Sequence, residues 1–595
     1  MKKAIYSKRN MRALMVGTMC IGIAVNTAAQ SNDQKKEETL SREMTLEKEY
    51  DPSLGDASKV NSLPEIIEIE VRKTPITYSN FVLPLHPQRE LFVLGSGNLM
   101  TEVPKSSKIG YLNFGIGNYM NINGDLGVHI LDNESDKLNI FYSNRTTNGK
   151  VKYLQQDIKQ KIKLNDNIGG INYSHNFEPM RLMLGGHYGY SAFNYYGYPA
   201  DMSLTPETID QNKYDRDTNQ ANQQVRAYVG VKSNGEPALN YEAMLEYNML
   251  SHKYSFSPED KGVKENAVAA TLDLNKDFDS NKLIGLNTHV HYFNYSLPKL
   301  EGKEFFNFEN HADVTLNPYF GIEGGDWKLR LGAKAVIITG KNSAFVASPD
   351  IKFDYTFAGT SQFYIDLDGG NEENSMYEDA KINRYASPVE GLKDSRTFLD
   401  GTFGIRSNVN GAFWLNAFGG YQITNDQHYF IPAVEEAWGN VGNAVYMDTK
   451  IFKVGAHLRY SYQDLITASV KGTYYGYSLD KFKWGIPTET APAPEDLKPF
   501  NKPSFELEAG LTVKPINKLS LMLNYYLGSG RYALVNEETV KMNSINELNF
   551  TGTYNINSTI GVYVQLNNLL FQKYDLYWGY PAQKFAAMGG INVNF

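Results

Sequence analysis

The stretch Ala587 Met588 Gly589 Gly590 Ile591 Asn592 Val593 Asn594 Phe595 decides how the rest of the chain is read. Phe585, Ala587, Ile591, Val593 and Phe595 fall on one face of a strand, and Met588, Asn592 and Asn594 on the other. That is the division expected where lipid lies outside and a polar lumen inside. A soluble antiparallel strand can alternate in the same way, so recurrence has to decide between them.

The alternation recurs along most of the chain after residue 109. Ile560, Val562, Val564 and Leu566 alternate with Gly561, Tyr563, Gln565 and Asn567. Leu548, Phe550 and Tyr554 alternate with Glu547, Asn549, Thr551 and Thr553, and Leu521, Leu523, Tyr525 and Leu527 form another apolar face. Val454, Ala456, Leu458 and Tyr460 oppose Gly455, His457 and Arg459; Val268, Ala270, Leu272 and Leu274 oppose Ala269, Thr271, Asp273 and Asn275. In the run from Tyr241 to Met249, Glu242, Met244, Glu246 and Asn248 face away from the apolar side. One face is too polar for a sandwich core and the other too apolar for a solvated sheet. The expected fold is all-β: a transmembrane antiparallel up-and-down barrel of about 22 strands, within a range of 18 to 22.

Composition agrees. Beyond its N-terminus the chain has no run of about 18 apolar residues, which excludes a helical span. Its 41 tyrosines suit interfacial girdles, since the ring is apolar and the hydroxyl wets. The formal charge of -8 argues against a nucleic-acid partner, which needs a basic face.

Three regions follow. Lys2, Lys3, Lys8, Arg9 and Arg12 precede the apolar run Ala13 to Val25 and then Thr27 Ala28 Ala29, a secretory signal over residues 1–29 with cleavage expected after Ala29. Cys20 is the only cysteine, and Met19 before it is a poor lipoprotein context, so the mature chain is expected to lack thiols and disulfides. Residues 30–108 are expected to form a short irregular periplasmic or lumenal segment, Lys and Glu rich at its start and kept extended by Pro84, Pro87 and Pro104. Residues 109–595 are the expected barrel.

Counting back from Phe595, taken as the periplasmic end of the last strand, the short turns fall at Asn555 to Ser558, Pro515 to Lys518, Ser461 to Asp464, Val409 to Gly411, Gly359 to Ser361, Gly324 to Asp326, Asp279 to Asn281, Ser233 to Pro237, Asn176 to Pro179 and Asn133 to Asp136. The long connections interleave with them and are expected outside: Tyr196 to Asn219, Gly369 to Ser395, Asn425 to Gly442, Asp480 to Lys502 and Phe571 to Lys584. With this parity the protein is expected in the outer membrane of a Gram-negative bacterium, surrounded by lipid, and its terminal Phe595 makes the barrel-insertion machinery an expected partner.

Leu566 Asn567 Asn568 Leu569 Leu570 Phe571 Gln572 Lys573 Tyr574, followed by Gly579 Tyr580 Pro581 and a final strand ending in Phe595, resembles the C-terminal end of TonB-dependent receptors. The resemblance implies a 22-strand barrel and implies that Phe595 serves as the insertion signal. Such receptors also carry a plug domain of well over a hundred residues with an Arg-Gly signature, and the residues before the first barrel strand offer neither, so the plug is expected to be missing. Glu65, Ile66, Ile67, Glu68, Ile69, Glu70 and Val71 loosely resemble the short strand that engages TonB; the plainer reading is an extended peptide lining the lumen or pairing with a periplasmic or outer-membrane protein.

No motif supplies a cofactor site or a catalytic constellation. His289 and His291 share the lumenal side of one strand and could meet a metal, but no third ligand is identifiable, so they read as polar lining. Glu242 and Glu246 suggest a carboxylate ladder on the inner face. The acidic stretch Gly369 Gly370 Asn371 Glu372 Glu373 Asn374, with Glu378 and Asp379, lacks the spacing of a calcium loop and reads as a solvated outer loop. Trp438, Trp484 and Trp578 fall in external connections, and Trp327 and Trp414 near periplasmic turns.

The function expected is that of a non-enzymatic pore or solute-uptake channel, closed by the 30–108 segment, by external loops or by a partner, because a barrel this wide would leak if empty. The second class open to the sequence is a structural or accessory subunit of an outer-membrane assembly.

Overall fold

The computed structural model describes residues 108–155, 158–198, 218–235, 238–279, 281–340, 343–409, 411–486 and 493–595. Twenty-two strands form one closed antiparallel sheet. In chain order they begin β1 (Gly110–Gly117), β2 (Ile122–Asp132), β3 (Asp136–Lys152), β4 (Lys159–Asn176), β5 (Met180–Asn194), β6 (Asn219–Ser233), β7 (Asn240–His252) and β8 (Lys264–Asp279). There follow β9 (Lys282–Ser296), β10 (His311–Glu323), β11 (Trp327–Ile338), β12 (Ala344–Phe357), β13 (Ser361–Glu372), β14 (Ser395–Val409), β15 (Phe413–Glu435) and β16 (Gly439–Tyr462). The wall ends with β17 (Ile466–Trp484), β18 (Phe505–Ile516), β19 (Leu519–Ser529), β22 (Ile545–Asn555), β23 (Ile560–Asn567) and β24 (Ala586–Asn594). A separate hairpin, β20 (Tyr532–Val535) and β21 (Glu538–Lys541), rises from the β19–β22 connection.

Strands β1 and β24 close the barrel, with Phe114 opposite Ile591. The Gly110 amide donates to the Phe595 carbonyl at 2.9 Å and the Phe595 amide to the Gly110 carbonyl at 3.0 Å. Beside this seam a Cβ on Gly115 would come within 2.2 Å of the Tyr563 hydroxyl and one on Gly590 within 2.4 Å of the Tyr563 ring, so both glycines make room for an inward tyrosine.

The outward positions are the apolar ones and stay uncovered: Leu112, Phe114, Ile116, Val562, Val564, Ile591, Val454, Leu458 and Val470 are all exposed. A soluble protein would not present such a continuous apolar belt, whereas lipid covers it. No helix among the described residues is long and apolar enough to cross a membrane. The expected short turns all connect strands at one end, the same end as Phe595. The β12–β13 turn needs the left-handed backbone of Ala358 (φ 47°) and Gly359 (φ 74°).

The buried apolar clusters lie at the opposite end, among strand tips and long connections. One joins Phe193, Tyr195, Tyr196, Tyr385, Trp438 and Tyr580; another joins Tyr429, Ile431, Val445, Met447, Phe500 and Leu534.

One expectation about the wall needs correction. The connection expected over Asn425 to Gly442 is mostly strand, because β15 continues to Glu435 and β16 starts at Gly439. A register shift between Thr424 and Gln427, with Asp426 at φ 54°, bends this hairpin. Above the bend Tyr429, Phe430 and Ile431 are consecutively buried, as are Ala444, Val445, Tyr446 and Met447. With both faces covered, the period-two signal is lost. Gln565 is inward, as the alternation predicts, and closely packed: it is 8% exposed against 48% for Val564.

A lumenal control for the lipid face is therefore better placed at half-buried Thr551, opposite Gln565 on β22. Val564→Arg is expected to destabilise the folded barrel by about 2–4 kcal/mol and Thr551→Arg by much less, as read from urea titrations of refolded protein in bilayers. Equal midpoints for the two variants would refute the assignment of faces.

Candidate functional site

The connection between β13 and β14, residues 373–394, is not a solvated outer loop. Asn374, Ser375, Asp379, Asn383 and Glu390 within it are buried. It starts with a short helix, α1 (Met376–Ile382), whose N-cap Ser375 accepts from the Glu378 amide at 3.2 Å. The carboxylate of Glu265 on β8 accepts from the Met376 and Tyr377 amides at 2.7 and 3.3 Å. A carboxyl acceptor there satisfies amides that the helix leaves unpaired.

Past the helix the chain reaches the far wall. Arg384 donates to both carboxylate oxygens of Asp166 on β4, at 3.2 and 3.1 Å. Strands β4 and β14 stand ten apart in a ring of 22, close to diametrically opposite, so the segment crosses the mouth. Tyr385 stacks on Tyr580 of the β23–β24 connection at 4.1 Å between centroids, and the Tyr577 hydroxyl donates to the Ile382 carbonyl at 2.5 Å. The Gly442 amide donates to the Tyr385 carbonyl at 2.8 Å and the Ser387 amide to the Gly442 carbonyl at 2.9 Å.

The returning limb is tied as firmly. Phe306, in the β9–β10 connection, exchanges backbone hydrogen bonds with Val389 and Gly391. A carboxylate oxygen of Glu390 accepts from the Ala444 amide at 3.1 Å, and the Lys393 amide donates to the Tyr446 hydroxyl at 2.8 Å. Burial pushes the Glu390 carboxyl up to about 8, with Glu435 reinforcing the shift, and raises Asp379 well above the usual range. The Trp438 indole, at the tip of the β15–β16 hairpin, donates to the Ser255 carbonyl at 2.6 Å and completes the aromatic lid.

Beneath one flank, between β13–β17 and the β17–β18 connection, lies a polar cavity of about 380 Å³ lined by Asp368, Asn371, Asp400, Gln422, Tyr477 and Lys502, among others. Asp400 pairs with Lys453 at 2.7 Å and Asp368 with Lys334. Burial lowers the Lys502 ammonium.

The inner face of β7 carries no carboxylate ladder. Glu246 pairs with Arg226 at 2.5 Å and Glu242 with Lys232 at 2.8 Å, both cations standing on β6. His289 and His291 face the lumen as expected, and the structure supplies the third group that the sequence lacked: Glu373 pairs with His291 and stands 3.6 Å from His289. His311, Asp313 and Asp394 lie close by. The His-x-His and His-x-Asp spacings on two neighbouring strands were the only sequence signal of that grouping. Glu373 and Asp394 come from the connection, where no periodicity points to them. Phe595 directly follows β24 and is exposed. Glu65, Ile66, Ile67, Glu68, Ile69, Glu70 and Val71 lie outside the described residues, as do the signal and nearly all of the 30–108 segment.

No protein-family model matches the chain, and no curated protein matches it in sequence. Solved structures do match. The FrpB iron transporter of Neisseria meningitidis is similar at 12% identity, over 83% of this chain and 82% of that one, with a TM-score of 0.61. The ferric enterobactin receptor PfeA of Pseudomonas aeruginosa is similar at 11% identity, over 82% and 81%, with a TM-score of 0.60. The siderophore receptor PirA of Acinetobacter baumannii is similar at 10% identity, over 82% and 80%, with a TM-score of 0.60. At such identities the likeness establishes the fold alone, a large closed β-barrel shared with these proteins, and 22-strand barrels of this build with an apolar exterior belong to the outer membrane. Among the described residues no plug domain fills the lumen; strands and their connections account for all of them.

Proposed function

We propose that the chain is a non-enzymatic solute-uptake barrel whose external mouth is closed by its own β13–β14 connection. The observation that carries this reading is the bridge from β14 to Asp166 of β4, sealed along its length by Tyr385, Tyr580 and Glu390. A wide barrel needs a stopper, and this segment crosses the opening. The similar structures include an iron transporter and siderophore receptors, which supports uptake of a solute from outside. Phe595 as the insertion signal, and residues 65–71 as a contact for TonB or another periplasmic partner, belong to the same reading.

The test is conductance of the purified full chain in planar bilayers, with and without residues 30–104, combined with recovery of partners from membranes. With the mouth closed by the β13–β14 connection, removal of the segment is expected to leave steady conductance low and to abolish capture of any periplasmic partner. A large rise in conductance on that deletion would transfer the stopper to the N-terminal segment. A silent barrel that stays silent in every variant and co-purifies with a stoichiometric partner would favour a subunit of a larger outer-membrane complex.

A further inference from the structure

The strands β9 and β10 present a patch of metal-ligating side chains to the lumen near its external end. His289 and His291 alternate on β9, and His311 and Asp313 on β10, with Asp313 directly opposite His291 and His311 opposite Phe293. The first and last residues of the β13–β14 connection, Glu373 and Asp394, close over them. Two trios result, His289 with His291 and Glu373, and His311 with Asp313 and Asp394; within each the potential ligand atoms lie within 4.8 Å of one another. His311 Nε2 stands 3.8 Å from Asp394 Oδ2.

Charge and hydrogen bonding are unbalanced here. Three carboxylates converge, and among the described residues the ion pairs of Glu373 and Asp394 are with imidazoles alone. One amide serves two of the carboxylates: Asn371 Nδ2 donates to Asp313 Oδ2 at 2.6 Å and to Asp394 Oδ2 at 3.0 Å. Asp313 is 1% exposed, yet its Oδ1 has no hydrogen-bond partner, and neither have the Nε2 atoms of His291 and His311. Buried carboxylates crowded in this way require a cation or protons, and a bare buried acceptor is costly. The rings are held in place, with Phe293 stacked on His311 at 4.7 Å and packed on His291 at 4.0 Å.

We propose that this cluster binds divalent transition-metal ions through imidazole nitrogen and carboxylate oxygen, and that the bound metal fastens both ends of the β13–β14 connection to the barrel wall. Mixed N and O donors without a thiolate suit Zn²⁺ and its neighbours in the first transition row better than Ca²⁺, which takes oxygen ligands alone. Asn371 is the outer partner that orients two of the carboxylates. The binding test stands apart from the transport reading, because it is made on folded protein and needs no flux.

Untagged full-length protein, stripped with a chelator and shown to be folded by heat-modifiable electrophoresis, is titrated calorimetrically with Zn²⁺ and separately with Ca²⁺. Saturable Zn²⁺ binding that survives desalting is expected, with Ca²⁺ much weaker. His311→Ala and the near-isosteric Asp313→Asn should each weaken Zn²⁺ binding by roughly tenfold or more, as should Glu373→Gln, whereas Glu242→Gln elsewhere in the lumen should not. Zn²⁺ should also slow proteolytic cleavage within residues 373–394. Failure of folded wild type to retain Zn²⁺, or unchanged affinity in both Asp313→Asn and Glu373→Gln, overturns the site; cleavage at the same rate with and without Zn²⁺ overturns the fastening.

Discussion

Replacing residues 376–391 by a short Gly-Ser linker is expected to convert a quiet barrel into one with large, steady conductance. The replaced residues carry Arg384, Tyr385 and Glu390, so the excision removes the tie to Asp166, the stack on Tyr580 and the bond to the Ala444 amide together. None of them belongs to the strands of the barrel wall, whose ladder stays intact. Heat-modifiable mobility should therefore remain native while conductance rises, and sensitivity of cells to bulky antibiotics should rise with it. A folded variant as silent as the parent would mean that this segment is not the stopper.

What the sequence made legible follows from which faces water or lipid touches. Where one face meets lipid and the other a wet lumen, the period-two signal is strong, and the barrel, the parity of its turns and the outward set of Val562, Val564 and Ile591 could all be read from it. The upper halves of β15 and β16 are covered on both sides. Tyr429 Phe430 Ile431, buried in succession, carry no period-two signal, and the stretch Asn425 to Gly442 then reads as a connection.

The β13–β14 connection misled through composition. Glu and Asp in a long loop ordinarily mean solvation, but here Glu390 and Asp379 are buried and Glu373 is half-buried, with Glu390 bonded to a backbone amide and Glu373 paired with imidazoles. Nothing local in the chain encodes Arg384 meeting Asp166, because that pairing depends on the curvature of the whole sheet. The histidine pair was visible, and its missing partner was not, for the same reason.

Raising the pH from about 6.5 to 8.5 is expected to loosen the closed mouth, chiefly through Glu390. Burial lifts its carboxyl from an ordinary value of 4.5 to about 8, an effect reinforced by Glu435 and opposed by the Ala444 amide and by Lys393. The closed connection thus keeps a proton that a released one gives up. Below about pH 4.5 both forms are protonated and this group is neutral toward closure; from there to about 8 closure weakens by ~1.4 kcal/mol per pH unit. Asp379 on α1, raised in part by Glu390 itself, acts in the same direction, and Tyr446 faces the pair as a neutral phenol. Conductance of the full chain should rise across this range. Glu390→Gln keeps the shape and the acceptor for the Ala444 amide but cannot ionise, so its conductance should change far less with pH. An identical slope in the variant, or closure that tightens as pH rises, would show that Glu390 does not hold the proton on which the closed mouth depends.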